Sequence, residues 1–150
     1  MVTEQMTTAV SPWDRVQLAR QAGRPHTMAY IRGLCDEFVE LHGDRTSSDD
    51  LALIGGLGRF RGRTVMIVGH QKGETTKENI ERNFGMPRPQ GYRKALRLMR
   101  QAEKFAVPLL TFIDTPGADP GLASEEGGQA FAIADNIFSM TDLATPIVSV

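Results

Sequence analysis

Apolar positions recur at two different spacings along the chain, and the change of spacing divides it into segments. From Trp13 to Ala22 the residues Trp13, Val16, Leu18 and Ala19 mark a short helix, stopped by Gly23-Arg24-Pro25. Thr27 stands where a helix cap belongs, and Ile31, Leu34, Cys35, Phe38, Val39 and Leu41 follow at helical intervals. This spacing predicts a second helix ending at Gly43, before the polar run Asp44 to Asp50. The period then shortens. Leu51–Phe60 and Thr64–Gly69 are compact apolar runs on either side of Arg61-Gly62-Arg63, which reads as two adjacent strands and a tight turn, although Gly55-Gly56 weakens the first of them. A loop carrying glycine and lysine follows, GHQKGETTKEN. Tyr92, Ala95, Leu96, Met99, Ala102 and Phe105 then make one face of a long amphipathic helix over Gly91 to Ala106. Pro108 opens a buried strand, PLLTFID, which runs into the turn Thr115 to Gly121. Ser124, Glu125, Glu126 and Gln129 open a further helix to about Leu143, and Pro146 begins a last strand, PIVSV.

Apolar strands separated by helical crossovers imply a layered α/β fold. Residues 1–12 read as a flexible lead and residues 13–150 as one domain. The final apolar run stops at Val150, as expected of a truncated sequence. Composition adds limits. A hydrophobic fraction of 41% with 23% charged residues is that of a globular chain with a sizeable core. No run approaches the length of a membrane span, and the first ten residues lack the order of a signal peptide. Cys35 is the single cysteine, so neither an internal disulfide nor a multi-cysteine metal site is available, and a cytoplasmic location is expected.

The net charge of −1 hides an uneven distribution. Residues 59–104 hold twelve basic and four acidic side chains, whereas residues 105–150 hold six acids and no Lys or Arg. A basic centre between acidic flanks suggests an anionic partner, either a polyphosphate cofactor or nucleic acid; solvated helix faces give the same pattern. Few aromatics interleave with the basic residues, which disfavours a platform for single-stranded nucleic acid.

Two segments are candidates for chemistry. In PLLTFIDTPGADPG a buried strand delivers a Pro/Gly turn into a helix, and ligands of open α/β sheets bind beyond such strand ends. Gly117 lets the backbone approach a substrate, and the amides of Gly117 and Ala118 are placed to form an oxyanion hole. A plain strand-to-helix connection accounts for the same residues. A nucleotide switch would also carry DTPG, but no phosphate loop of the form GxxxxGKS or GxxxxGKT is present. The second segment is Gly69-His70-Gln71-Lys72-Gly73, with Lys77, Arg82, Asn83, Arg93 and Lys94 downstream: lysine on a glycine loop suits phosphate, and arginine suits bidentate contacts. His26 falls at a helix entry and His42 at a helix end, with no metal-ligand spacing. Asp49-Asp50 reads as a solvated loop, and Cys35 as core.

The segments RPHTMAYI, ELHGDR, VMIVGHQKG, TKENIERNFGMPRPQGYRKALRLM and FIDTPGADPG, in this order, resemble the α subunit of bacterial-type acetyl-CoA carboxylase carboxyltransferase over about residues 13–150. The resemblance implies a crotonase-like (ClpP/crotonase) α/β fold of repeated strand–strand–helix units, here incomplete. It implies a transferase that moves the carboxyl group of carboxybiotin, carried on the biotin carboxyl carrier protein, to acetyl-CoA, giving malonyl-CoA for fatty-acid biosynthesis. The partners it implies are a zinc-bearing β subunit in an α2β2 assembly, the carrier protein and biotin carboxylase, within an ATP-binding, biotin-dependent complex; no cofactor is bound covalently and no metal is held. It places Gly117 and Ala118 as backbone oxyanion donors; with such substrates, Gly69, His70, Lys72, Gly73, Lys77, Arg82, Asn83, Arg93 and Lys94 of the second segment are the residues expected in the vicinity of CoA or carboxybiotin. Two residues depart from the family pattern, Asp119 for its usual tyrosine and Gly127 within its EERGQ. The family also continues into a GEGGSGG loop beyond the last strand, so the chain alone is expected to be inactive. An inactive assembly module of the same fold is the alternative, and a nucleic-acid binder a weaker one.

Overall fold

The computed structural model describes residues 10–21 and 23–150. Its elements in chain order are α1 (Pro12–Ala19), α2 (Thr27–Leu34), β1 (Glu37–Glu40), β2 (Leu53–Phe60), β3 (Arg63–His70), α3 (Thr76–Glu81), α4 (Pro89–Lys104), β4 (Leu109–Phe112), α5 (Leu122–Glu126), α6 (Gln129–Asp142) and β5 (Ile147–Ser149). The five strands lie in sequence order in one sheet. β1, β2 and β3 pair antiparallel, and β3, β4 and β5 pair parallel. The crossover from β3 to β4 passes through α3 and α4, and that from β4 to β5 through α5 and α6.

Alternation along β3 explains the layers. Met66 and Val68 join Leu53 and Leu109 beneath Ala95, Leu98, Met99 and Ala102 of α4. Val65 and Ile67 face the opposite way, onto Ile31 of α2, Ile54 and Phe112. The expected hairpin forms, with Arg61 and Gly62 both at positive φ (48° and 76°), the arrangement that matches strand twist in a two-residue turn. The long helix begins at Pro89 rather than Gly91, because proline suits a first turn whose N–H has no partner.

Three sequence-based boundaries are corrected. The second helix does not reach Gly43. It ends at Leu34, Cys35 is already extended, and Glu37–Glu40 form a strand against Gly56–Arg59. Phe38 and Val39 favour strands, and the edge of β2 gives them a ladder that helix continuation would leave unpaired. Thr27 is the first helical residue rather than the cap, and its hydroxyl donates to the His70 carbonyl (2.5 Å). The helix expected from Ser124 is interrupted where Gly128 adopts φ +83° between α5 and α6.

Glycine in β2 is a packing requirement. A Cβ on Gly56 would overlap the Val39 carbonyl of β1, and one on Gly55 would strike Leu98 of α4. Gly56→Ala is therefore expected to destabilise the fold by about 1–3 kcal/mol, read as a lower urea midpoint, since neither strand can retreat without losing its ladder.

Candidate active site

β3 and β4 are parallel and end side by side, with Gly69 opposite Phe112. Beyond their carboxyl ends lies a cavity of 960 Å³ between the α1–α2 connection, the loop after β3 and the turn after β4. Its polar lining includes Arg20, Arg24, His26, Lys72 and Thr115, with Asp114 and Glu74 as its acids.

The turn leaves β4 through Ile113, whose N–H is held by the Val150 carbonyl. Asp114 follows, with its carboxylate between His26 Nδ1 (2.8 Å) and the Lys72 ammonium. Burial pushes this carboxyl up, but the bonds from Lys72 and His26 outweigh it and hold Asp114 below its ordinary value. The Thr115 hydroxyl then ties the turn, accepting from the Gly117 N–H (3.0 Å) and donating to the Gly117 carbonyl (2.7 Å). The Gly117 amide is thus engaged within the turn. Among the described residues, the Ala118 N–H has no protein acceptor. Gly117 has φ +155°, and a Cβ there would point into open space.

Asp119 does not line the cavity. Its carboxylate folds back onto the Ser124 hydroxyl and lies 3.8 Å from Arg88. The Ser124 bond holds it below its ordinary value against partial burial, with Asn83 and Arg88 assisting, so the negative charge is compensated locally.

The residues expected near substrate separate into two groups. Lys72 and Gly73 line the cavity, and Gly69 and His70 sit at the end of β3 beside it. Burial pushes the His70 imidazole down, while Nδ1 lies 3.3 Å from the Phe112 carbonyl. Lys77 is exposed on α3, Arg82 donates to the Leu51 carbonyl, and Asn83 donates to the Met86 carbonyl. Arg93 binds Asp44 (2.9 Å) and the Gly127 carbonyl. Lys94 is buried, donating to Asp49 and to the Asp50 carbonyl. None of these five lines the cavity. Two of the twelve basic residues of the segment, Arg93 and Lys94, pair with Asp44 and Asp49 of the acidic 44–50 loop, and Arg97 donates to the Gly43 carbonyl at its edge. Asp49-Asp50 is correspondingly no solvated loop, because Asp50 is buried and accepts from the Ala52 and Arg88 amides. Sequence reading missed the pairing of His26 with Asp114, although both residues lay in segments already singled out.

Strand–strand–helix order, with an antiparallel β2–β3 pair leading through helix into the parallel strand β4, is that of a crotonase-like α/β fold. The 12S transcarboxylase core solved with methylmalonyl-coenzyme A and methylmalonic acid superimposes with a TM-score of 0.69 at 20% identity, over 94% of this chain and 24% of that one. The β subunit of Pseudomonas aeruginosa (P. aeruginosa) geranyl-CoA carboxylase gives 0.67 at 20% identity, over 86% and 22%. The family model for acetyl co-enzyme A carboxylase carboxyltransferase-like proteins matches residues 1–150, and the chain belongs to that family. Acetyl-coenzyme A carboxylase carboxyl transferase subunit alpha of Thiobacillus denitrificans is 59% identical over 147 residues, and that of Nitrosomonas europaea 57% over 149. These alignments take in 98% and 99% of this chain and 46% of each relative, so the chain spans about half the length of those proteins. Among the described residues no helix is long and apolar enough to cross a membrane.

Proposed function

We propose that this chain forms one wall of a carboxyltransferase site in which the carboxyl group of carboxybiotin, presented by a carrier protein, passes to acetyl-CoA to give malonyl-CoA. The observation that carries this reading is the 114–119 turn: it stands at the end of β4 beside the cavity, with the Ala118 amide without a partner and the Gly117 face open. In this transfer negative charge develops on the biotin urea oxygen and on the thioester oxygen as a methyl proton is removed. Backbone amides aimed at such oxygens lower the barrier without a protein base. Ala118 is the donor ready to act. Gly117 joins it when an oxyanion displaces the Thr115 hydroxyl. Arg20 and Arg24, which have no carboxylate within 4.0 Å among the described residues, favour an anionic substrate at the cavity rim. A β subunit and biotin carboxylase are the partners, and the cytoplasm is the compartment in which fatty-acid synthesis uses the product.

The test uses residues 1–150 joined to the remaining half of the Thiobacillus denitrificans relative, co-purified with a bacterial β subunit and supplied with carboxylated carrier and acetyl-CoA. Malonyl-CoA formation above that of the β subunit alone is expected, and none from the 150-residue chain by itself. Stable β binding without turnover would identify an inactive assembly module, and absence of both would overturn the reading.

A further inference from the structure

We propose that Asp114 is a positioning residue for the Gly117 and Ala118 amides, clamped between His26 and Lys72 so that it fixes where the chain leaves β4 and enters the turn. This rests on the carboxyltransferase reading for its consequence, but its geometry stands independently. The two residues that grip Asp114 come from different elements, and each is itself tied down. His26 stands immediately before α2, which is fastened to the exit of β3 by Thr27 Oγ1 to the His70 carbonyl and by the Met28 N–H to Gln71 Oε1 (2.7 Å). Gln71 is buried, and its Nε2 donates to the Lys72 carbonyl (2.7 Å). The Lys72 stem packs on Gly85, where a Cβ would meet its Cγ at 2.7 Å, so the aim of the ammonium is restricted. The carboxylate is therefore gripped by a proton donor at the entry of α2 and a cation on the β3 loop, and the Thr115–Gly117 tie begins at the next residue. Three links connect the buried sheet to the turn that carries the two amides: β3 and α2 to Asp114, Asp114 to Thr115, and Thr115 to Gly117.

This reassigns Lys72. A lysine on a glycine loop suggests a phosphate contact, yet here its ammonium is committed to Asp114. The titratable and charged groups that bear on Asp114 are His26 before α2, Lys72 from the loop and His70 from the end of β3, with Arg24 and Glu74 at the cavity wall. Because Asp114 is held below its ordinary value, the clamp is complete above that value and is lost as pH falls through the folded one. Removing Lys72 takes away a lowering contact, so the acid limb of turnover moves to higher pH.

Two measurements test this. Hydrogen–deuterium exchange of the full-length chimera with its β subunit, read by mass spectrometry, is expected to rise about tenfold or more at the bonded amides of Ile113, Gly117 and Asp119 in Asp114→Asn while α4 stays protected. In the full-length chimera with its β subunit, Asp114→Asn and Lys72→Met are each expected to lower kcat about 10- to 100-fold with KM for acetyl-CoA within about twofold. The double variant should be no worse than Asp114→Asn alone, as for residues acting as a unit, and Lys72→Arg should retain most of the rate. A raised KM with unchanged kcat in Lys72→Met would make Lys72 a ligand contact and overturn the proposal. Unchanged exchange at Ile113, Gly117 and Asp119 would overturn it as well. If the unsubstituted chimera makes no malonyl-CoA, the carboxyltransferase reading fails, while the exchange experiment still decides whether the clamp holds the turn.

Discussion

Gly117→Val in the assembled carboxyltransferase is expected to lower turnover by about 100-fold or more, the loss associated with one oxyanion-hole donor, or roughly 3 kcal/mol of barrier. Two effects act together. Gly117 sits at φ +155°, a conformation that a β-branched residue resists, so the turn must rearrange to accept valine. No protein atom lies within 4 Å of the position its Cβ would take, so the added Cβ itself meets no packing conflict with the fold. The new side chain instead enters the open space in which the proposed oxyanion would sit. Both effects act on the amide donors and neither on the sheet. Stability and β-subunit binding should therefore be nearly unchanged, and steady-state kinetics alongside pull-down of the β subunit checks this. Normal turnover with loss of β binding would make the turn an assembly element. Ala118 is the informative contrast: its contribution is a backbone N–H, so a side-chain change there should matter far less than a change in the shape of the turn.

What the sequence made legible divides by distance along the chain. β2, its Arg61-Gly62 turn, β3, α4 and β4 follow from local periodicity and turn chemistry, and the structure has them within two residues. The amide-bearing turn was legible too, since a buried strand followed by Thr-Pro-Gly announces its own geometry. β1 was not. Ile31, Leu34, Phe38 and Leu41 satisfy a helical period, and only the edge of β2, some twenty residues later, decides that Phe38 lies in a strand. The site failed in the same way. His26 and Asp114 stand 88 positions apart, and Lys94 and Asp49 stand 45 apart, so no local pattern announces either pair. The basic segment looked like a phosphate surface because charge can be counted without knowing its partner. The fold then placed the acidic 44–50 loop against it.

The consequence of that placement is largest at Lys94. It lies in the middle of α4 at 1% relative exposure, a position that binary patterning assigns to an apolar residue. Its ammonium donates to Asp49 Oδ1 (2.5 Å) and to the Asp50 carbonyl (2.8 Å), so the loop before β2 is folded around it. Burial pushes both carboxyls up. At Asp49 the bonds from Lys94, Gly43 and His42 outweigh burial and hold the group well below the carboxylate range, whereas Asp50 remains raised despite the Ala52 and Arg88 amides. Lys94→Met keeps the length of the side chain but leaves Asp49 without its cation and Asp50 with one fewer stabilising charge. Breaking a buried pair on one side costs about 3–5 kcal/mol; the lower end is expected here because Asp49 keeps partial access to water. Urea unfolding should show a lower midpoint with an unchanged slope. The pH dependence follows from the sign of the Asp49 shift. Its contribution is present above the ordinary carboxylate value and disappears as pH falls through the folded one, so wild type and variant should converge in acid. Asp49→Asn in the Lys94→Met background removes the stranded charge and should recover part of the loss. A single variant as stable as wild type at neutral pH would show that desolvation of Lys94 cancels its attraction to Asp49. The loop would then owe its place to the Arg93–Asp44 pair and the amide bonds to Asp50.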